Sequence, residues 1–385
     1  MCSALTLAIL ARELPLGEFG RYTFYLALFA FLDGLVDFGS GALVLQKGTS
    51  DEGAFMAMLR VARGVRGVVA LASMALLALA IGMLDEAQAG WIVLAALYPL
   101  SRTLEASSLV FQRRIKHGTP VLLRGVAASL RTLSIAFLVL DGTTSAAPLL
   151  AVHAAWIAAA NLAQHWAARK ELLRLSKVAS AWPAVPLRGF LALAFPLALA
   201  SVSQQAYFYV DNLFVRGMLG TEELGRYNAA ARIFSWLVLF AAYATSAALP
   251  WLVRQHEAGS LNAATRQLSQ PLLVGGVLVC GSAFAFADPL LGFVFGPDFS
   301  ASAASLRWLL LGALCVFAGA PFLTALVAAG HNWTVAKITT AALLVNVIGN
   351  LWWIPSSGIQ GAAAATLASE ATILVTSLFL LRRRT

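Results

Sequence analysis

Charge is scarce in this 385-residue chain: Asp, Glu, Lys and Arg make up 12% of it, against about 25% in ordinary soluble domains. No hydrophilic stretch is long enough to fold as a separate soluble domain. Cysteine is scarcer still. Cys2, Cys280 and Cys315 lie in or beside apolar stretches without CxxC spacing, which supports neither a disulfide framework nor a zinc site. His153 and His165 do not share a helix face, so no metal or other cofactor is expected. No set of nucleophile and base stands out, and the chain does not read as an enzyme. What is abundant is apolar: 60% of residues are hydrophobic and the mean hydropathy is +0.79.

The apolar runs are continuous rather than alternating with period two, which excludes a β-barrel and points to helices. Each needs roughly 20 residues to cross a bilayer. The runs fall at 3–13 (short), 19–45, 61–84, 90–112, 120–140, 145–168, 188–218, 224–251, 268–287, 303–330, 332–354 and 359–381. The fold class is therefore an all-α polytopic membrane protein with about twelve transmembrane helices. The net charge of +9 would suggest nucleic acid in a soluble protein. Here two thirds of the basic residues fall in alternate connectors between spans, from Lys47 and the Arg60–Arg63–Arg66 group to the tail Arg382–Arg384. The expected partners are membrane lipids, not nucleic acid, and both termini are expected in the cytoplasm.

The segment from Leu14 to Tyr22 recurs as Leu219 to Tyr227. Glu18, Gly20, Arg21 and Tyr22 match Glu223, Gly225, Arg226 and Tyr227 at a constant offset of 205. Two parallel six-helix lobes follow, 1–181 and 182–385, of the kind related by an axis along the membrane normal. Measured against the seventh helix, the first is short by roughly 18 residues, so a truncated first helix is expected.

Several motifs then resemble a known family. They are the Leu219–Tyr227 segment after an Asp211-bearing helix, Asp37-Phe38-Gly39, and Phe295-Gly296-Pro297-Asp298-Phe299. Near the end come Asn346 and Asn350, Ile354-Pro355, Gly358-Ile359 with Gly361, and Thr366 with Glu370. Each is degenerate alone, but together, in this order over nearly the whole chain, they resemble the Wzx-like polysaccharide and O-antigen flippases. These belong to the multidrug/oligosaccharidyl-lipid/polysaccharide (MOP) exporter superfamily. The resemblance implies a V-shaped fold in the bacterial cytoplasmic (inner) membrane. It implies alternating-access transfer of undecaprenyl-pyrophosphate-linked oligosaccharide between leaflets for surface polysaccharide biosynthesis. The truncated first helix and the absence of two further helices depart from it.

Ionisable side chains at membrane depth are costly and normally face a cavity or a partner. Arg102, Arg124, Arg131 and Arg232 are the candidate cavity cations, since guanidinium forks match pyrophosphate oxygens. Bland alternatives are an Arg102–Glu105 pair within one helix, a snorkelling Arg124, and an Arg232 paired with Asp211. Asp33 and Asp37, one turn apart, join Asp211 and Glu370 as candidates for coupling to H+ or Na+, or as counter-charges. Other readings are a multidrug/cation antiporter, a peptidoglycan-precursor flippase or, least favoured, a membrane glycosyltransferase or ligase. An antiporter for cations calls for acids in its cavity, whereas these spans carry as many arginines as acids.

Overall fold

In the computed structural model the described residues are 2–48, 51–83, 98–113, 118–178 and 185–384. They are almost wholly helical and contain no strand. The helices are α1 (Cys2–Glu13), α2 (Leu16–Asp37), α3 (Ser40–Gly48), α4 (Glu52–Met83), α5 (Leu109–Arg113), α6 (Gly118–Leu140) and α7 (Ala146–Val178). There follow α8 (Leu187–Leu219), α9 (Thr221–Glu257), α10 (Leu261–Ala285), α11 (Ala287–Phe295), α12 (Ala303–Ala328), α13 (Asn332–Ser357) and α14 (Ile359–Arg384). Residues 98–105 are also helical and reach α5 through a 3-10 turn at Ala106–Ser108.

Among the described residues ten segments are long and apolar enough to cross a membrane. Large apolar side chains such as Val121, Leu133 and Phe137 of α6, or Val274 and Leu278 of α10, are exposed, as lipid-facing residues are. Helix α1 has 12 residues and is too short to span, in keeping with the short first run. It docks on α6, where the Thr6 and Thr132 hydroxyls meet at 2.9 Å. The front of the fourth expected span, residues 90–97 with Trp91, lies outside the described residues. So do Asp85, Glu86, Arg114, Lys116, His117 and Trp182.

Helix boundaries differ from the apolar runs in an instructive way. Helix α4 begins at Glu52 rather than near 61, and α7 continues to Val178 rather than ending near 168. Arg60, Arg63, Arg66, Arg169, Lys170, Arg174 and Lys177 therefore stand on helices, not in connectors. Their charges are absorbed locally, as Arg60 donates to the Ser176 carbonyl at 3.2 Å and Arg63 to Ser107 Oγ at 3.0 Å. The 19–45 run breaks at Phe38 and Gly39, both left-handed with φ of 47° and 64°. A side chain at Gly39 would stand 2.7 Å from the Ala198 backbone nitrogen, so glycine is required twice over.

The chain divides into two compact units, with boundaries between α1 and α2, inside α2 and inside α8. Unit one is Met1–Leu14 with Tyr25–Val202; unit two is Pro15–Phe24 with Ser203–Thr385. In unit one, Phe55, Leu59 and Ala62 of α4 pack with Leu109, Leu172, Leu175 and Phe190. In unit two, α12 is the central element, packed by α9, α10 and α14. Gly312 and Gly319 of α12 lie against the Leu367 and Leu374 backbone, the close approach that small residues permit between membrane helices.

Unit two also brings the sequence repeat onto itself. A side chain at Gly20 would overlap the Thr221 carbonyl, and one at Gly225 would stand 2.8 Å from the Leu16 carbonyl. Each copy carries the same internal ion pair, Arg21 with Glu18 at 2.6 Å and Arg226 with Glu223.

Candidate functional site

Unit one holds a polar cavity of about 420 Å³ built on α2, α3, α4 and the 98–113 segment. Asp33 and Asp37, one helical turn apart on α2, both line it, with Arg66, Arg102, Glu105 and Gln112. Arg102 Nε lies 2.7 Å from Asp33 Oδ1, and its Nη2 lies 2.7 Å from Glu105 Oε2. The Nε–H is not aimed along the Asp33 contact, which is an ion pair without a hydrogen bond. The other Glu105 oxygen accepts from Arg124 Nη2 at 2.7 Å. Charge thus alternates along Arg124, Glu105, Arg102 and Asp33.

Tyr98 completes this row. Its ring stacks on Phe29 with centroids 4.1 Å apart, and its hydroxyl donates to Asp33 Oδ1 at 2.8 Å. Across the cavity Asp37 pairs with Arg66, whose Nε donates to Ser40 Oγ at 2.9 Å. Arg66 is only 3% exposed, so this pair is a built feature rather than a surface accident. Gly41 leaves the room: a side chain there would sit 2.9 Å from Asp37 Oδ1 and 3.1 Å from Arg66 Nη2.

Unit two places its acids differently. Asp211 of α8 is buried and accepts from Tyr227 Oη at 2.6 Å, Thr366 Oγ1 at 2.8 Å and Asn350 Nδ2 at 2.7 Å. Asn350 also donates to the carbonyl and the side-chain oxygen of Asn346, both at 2.9 Å. Asn350 therefore bonds across helices to Asp211 and, within α13, to Asn346 one turn away. Glu370 of α14 lines a second cavity of about 300 Å³ with Tyr207, Gln204 and Cys315. Neither Asp211 nor Glu370 has a lysine or arginine partner among the described residues.

The four arginines singled out by sequence do not form one ring. Arg102 lines the unit-one cavity, and Arg124, half-exposed, reaches it through Glu105. Arg131 is buried on α6 and does not line that cavity. Arg232 lies on α9 in unit two, with Tyr22 and Tyr209 as electrostatic neighbours and no carboxylate partner among the described residues. The alternative pairing of Arg232 with Asp211 does not occur, because amide and hydroxyl donors occupy that carboxylate. Two members of the site, Arg66 and Tyr98, were missed by sequence. Arg66 read as a connector charge, while the spacing from Asp33 to Tyr98 carries no local signal. Among the described residues no group of three or more His, Cys, Asp or Glu could hold a metal ion.

Comparison with known proteins fits this architecture. The family model described as "Polysaccharide biosynthesis protein" matches residues 1–256, and the model described as "MatE" matches 196–352. An uncharacterized membrane protein of Methanocaldococcus jannaschii is 24% identical over 190 residues, which are 49% of this chain and 45% of that protein. The chain thus matches less than half the length of that curated relative. Among solved structures, the lipid II flippase MurJ in an inward closed conformation superimposes with a TM-score of 0.72 at 15% identity. It covers 98% of this chain and 85% of its own. A MOP superfamily transporter from Pyrococcus furiosus gives 0.65 at 12% identity, covering 100% of this chain and 90% of its own. An outward-facing multidrug resistance MATE family transporter gives 0.66 at 12%, covering 100% and 94%. The fold is that of the MATE and MurJ transporters, and the family model spans well over half of the sequence. This chain is a multi-pass membrane protein of the polysaccharide biosynthesis protein family.

Proposed function

We propose that the chain is a flippase for undecaprenyl-pyrophosphate-linked oligosaccharide in the bacterial cytoplasmic membrane, working by alternating access between two six-helix lobes. The observation that carries this reading is the charge-alternating cavity of unit one, on segments long and apolar enough to span the bilayer. Such charges are retained in membrane helices where they face a polar path. Asp33 and Glu105 hold the Arg102 guanidinium in place as counter-charges. A pyrophosphate oxygen competes for the same fork, exchanging a carboxylate partner for a phosphate one without leaving a bare charge. Arg124 and Arg66 do the same at the edges of the cavity. Arg131 and Arg232 stand as further cations for the headgroup path.

With Asp33 and Asp37 engaged by arginines, a coupling ion, H+ or Na+, belongs with Asp211 or Glu370, buried acids without a lysine or arginine partner among the described residues. No bond is made or broken in such a cycle, and no catalytic residue is assigned. Complementation of a strain lacking its O-antigen flippase, scored for surface polysaccharide, tests the reading. Rescue by the wild type and none by a membrane-inserted R102A variant is expected. Rescue of a lipid II flippase-deficient strain instead would move the substrate to the peptidoglycan precursor, and rescue of neither would overturn the reading.

A further inference from the structure

Glu370 is an acid in apolar surroundings. It is 3% exposed on α14, and its Oε1 has no hydrogen-bond partner among the described residues. The cavity it lines is walled by Val238, Leu249, Val316, Leu323 and Ile373. The titratable groups facing it are Tyr207 of α8 and Cys315 of α12. The residues that line the cavity from α9 and α13, among them Val238, Thr245, Ser246 and Val335, do not titrate, and among the described residues no lysine, arginine or histidine lines the cavity.

An ionised carboxylate here would carry its charge beside hydrocarbon with one oxygen bare, a costly arrangement at membrane depth. The neutral acid fits, with its second oxygen facing the Tyr207 phenol, which Gln204 in turn engages. Oxygens of Gln204, Tyr207, Thr245, Ser246 and Thr324 also line the cavity, so sodium is the competing occupant, which a carboxyl signal that follows pH and ignores sodium distinguishes from a proton. At about 300 Å³ the space has room for several waters at ~30 Å³ each, so hydration can carry the proton away.

We propose that Glu370 is a proton-binding site: the carboxyl is held as the neutral acid in this apolar cavity and releases its proton when water enters. The proposal deepens the transport reading, on which it rests for its purpose, by naming the proton as the coupling ion. Infrared difference spectroscopy of the whole protein in lipid nanodiscs tests it without any transport assay. The expected result is a protonated-carboxyl carbonyl band at neutral pH that is lost on alkalinisation, is absent from E370Q and persists in D211N. Y207F, which keeps the carboxyl, is expected to move the midpoint of that loss, and it serves if E370Q does not fold. No band that distinguishes wild type from E370Q at any pH would overturn the proposal. A band abolished by sodium at constant pH would overturn it too. Because the measurement reads the resting protein, failure to rescue a flippase-null strain leaves its outcome intact.

Discussion

Asn228 Nδ2 donates to Thr23 Oγ1 at 3.0 Å, and these residues stand 205 positions apart, the offset at which the Glu–Gly–Arg–Tyr segments repeat. Each copy of the repeat therefore ends on its own counterpart. Asn228 also donates to Asn212 Oδ1 at 2.7 Å, so one amide serves two acceptors. N228A is expected to lower stability by about 1–3 kcal/mol, the usual cost of stranding buried polar groups. T23A should cost less, because the Asn228 amide keeps the Asn212 oxygen as an acceptor. Thermal unfolding in detergent, ranking wild type above T23A and T23A above N228A, checks the assignment.

The glycines of the repeat make a sharper prediction. Gly20 faces the Thr221 carbonyl and Gly225 faces the Leu16 carbonyl, both backbone atoms that cannot swing aside. G20A and G225A are each expected to lose about 3 kcal/mol through overpacking. Gly275 on α10 is the control, since a methyl there meets nothing within 4 Å. G275A should be neutral or gain up to about 1 kcal/mol in helix propensity. Equal losses at all three positions would mean that the crossing is not what holds the glycines.

The sequence was legible where one property dominated. Continuous apolar length located the spans, and a repeated Glu–Gly–Arg–Tyr pattern located a packing motif before any contact was known. It failed where long-range pairing offsets a charge. Arg66 looks like connector charge in a one-dimensional reading, but Asp37 and Ser40 neutralise and bond it inside α4. Asp33 and Tyr98 are 65 positions apart, and their hydrogen bond depends on a helix–helix contact with no sequence signature. The candidate arginines were visible one by one. Their distribution, with Arg102 in one unit and Arg232 in the other, depended on tertiary structure.

Arg102 and Asp33 can be separated from simple loss of charge by a double-mutant cycle. Both side chains are mostly buried, at 19% and 25% exposure, and Arg102 also holds Glu105. R102Q leaves Asp33 with only the Tyr98 hydroxyl and Glu105 with only Arg124, whereas D33N leaves Arg102 still paired to Glu105. R102Q is therefore expected to destabilise more than D33N, and the double variant to recover part of the loss. The coupling expected for contacting residues is about 0.5–3 kcal/mol. Additive losses in unfolding experiments would show that the pair contributes nothing beyond its separate members.

Asp211 separates fold from coupling most cleanly. D211A removes the acceptor of three donors, and Tyr227 suffers most, since Thr366 and Asn350 retain the Ala362 and Asn346 oxygens. A loss of about 3 kcal/mol is expected from that buried vacancy. D211N keeps the shape, because the Tyr227 and Thr366 hydroxyls can rotate to accept from the new amide while its oxygen still accepts from Asn350. It is expected to stay folded within about 1.5 kcal/mol of wild type, with flipping retained if Asp211 only braces the α8–α13–α14 junction. Flipping by D211N that loses its response to a sodium gradient would place the coupling ion here instead. Sodium-gradient-driven transfer of a fluorescent lipid-linked glycan in proteoliposomes, run beside E370Q under a proton gradient, distinguishes the two acids. On the structure, E370Q is the variant expected to lose its gradient response and D211N the one expected to keep it.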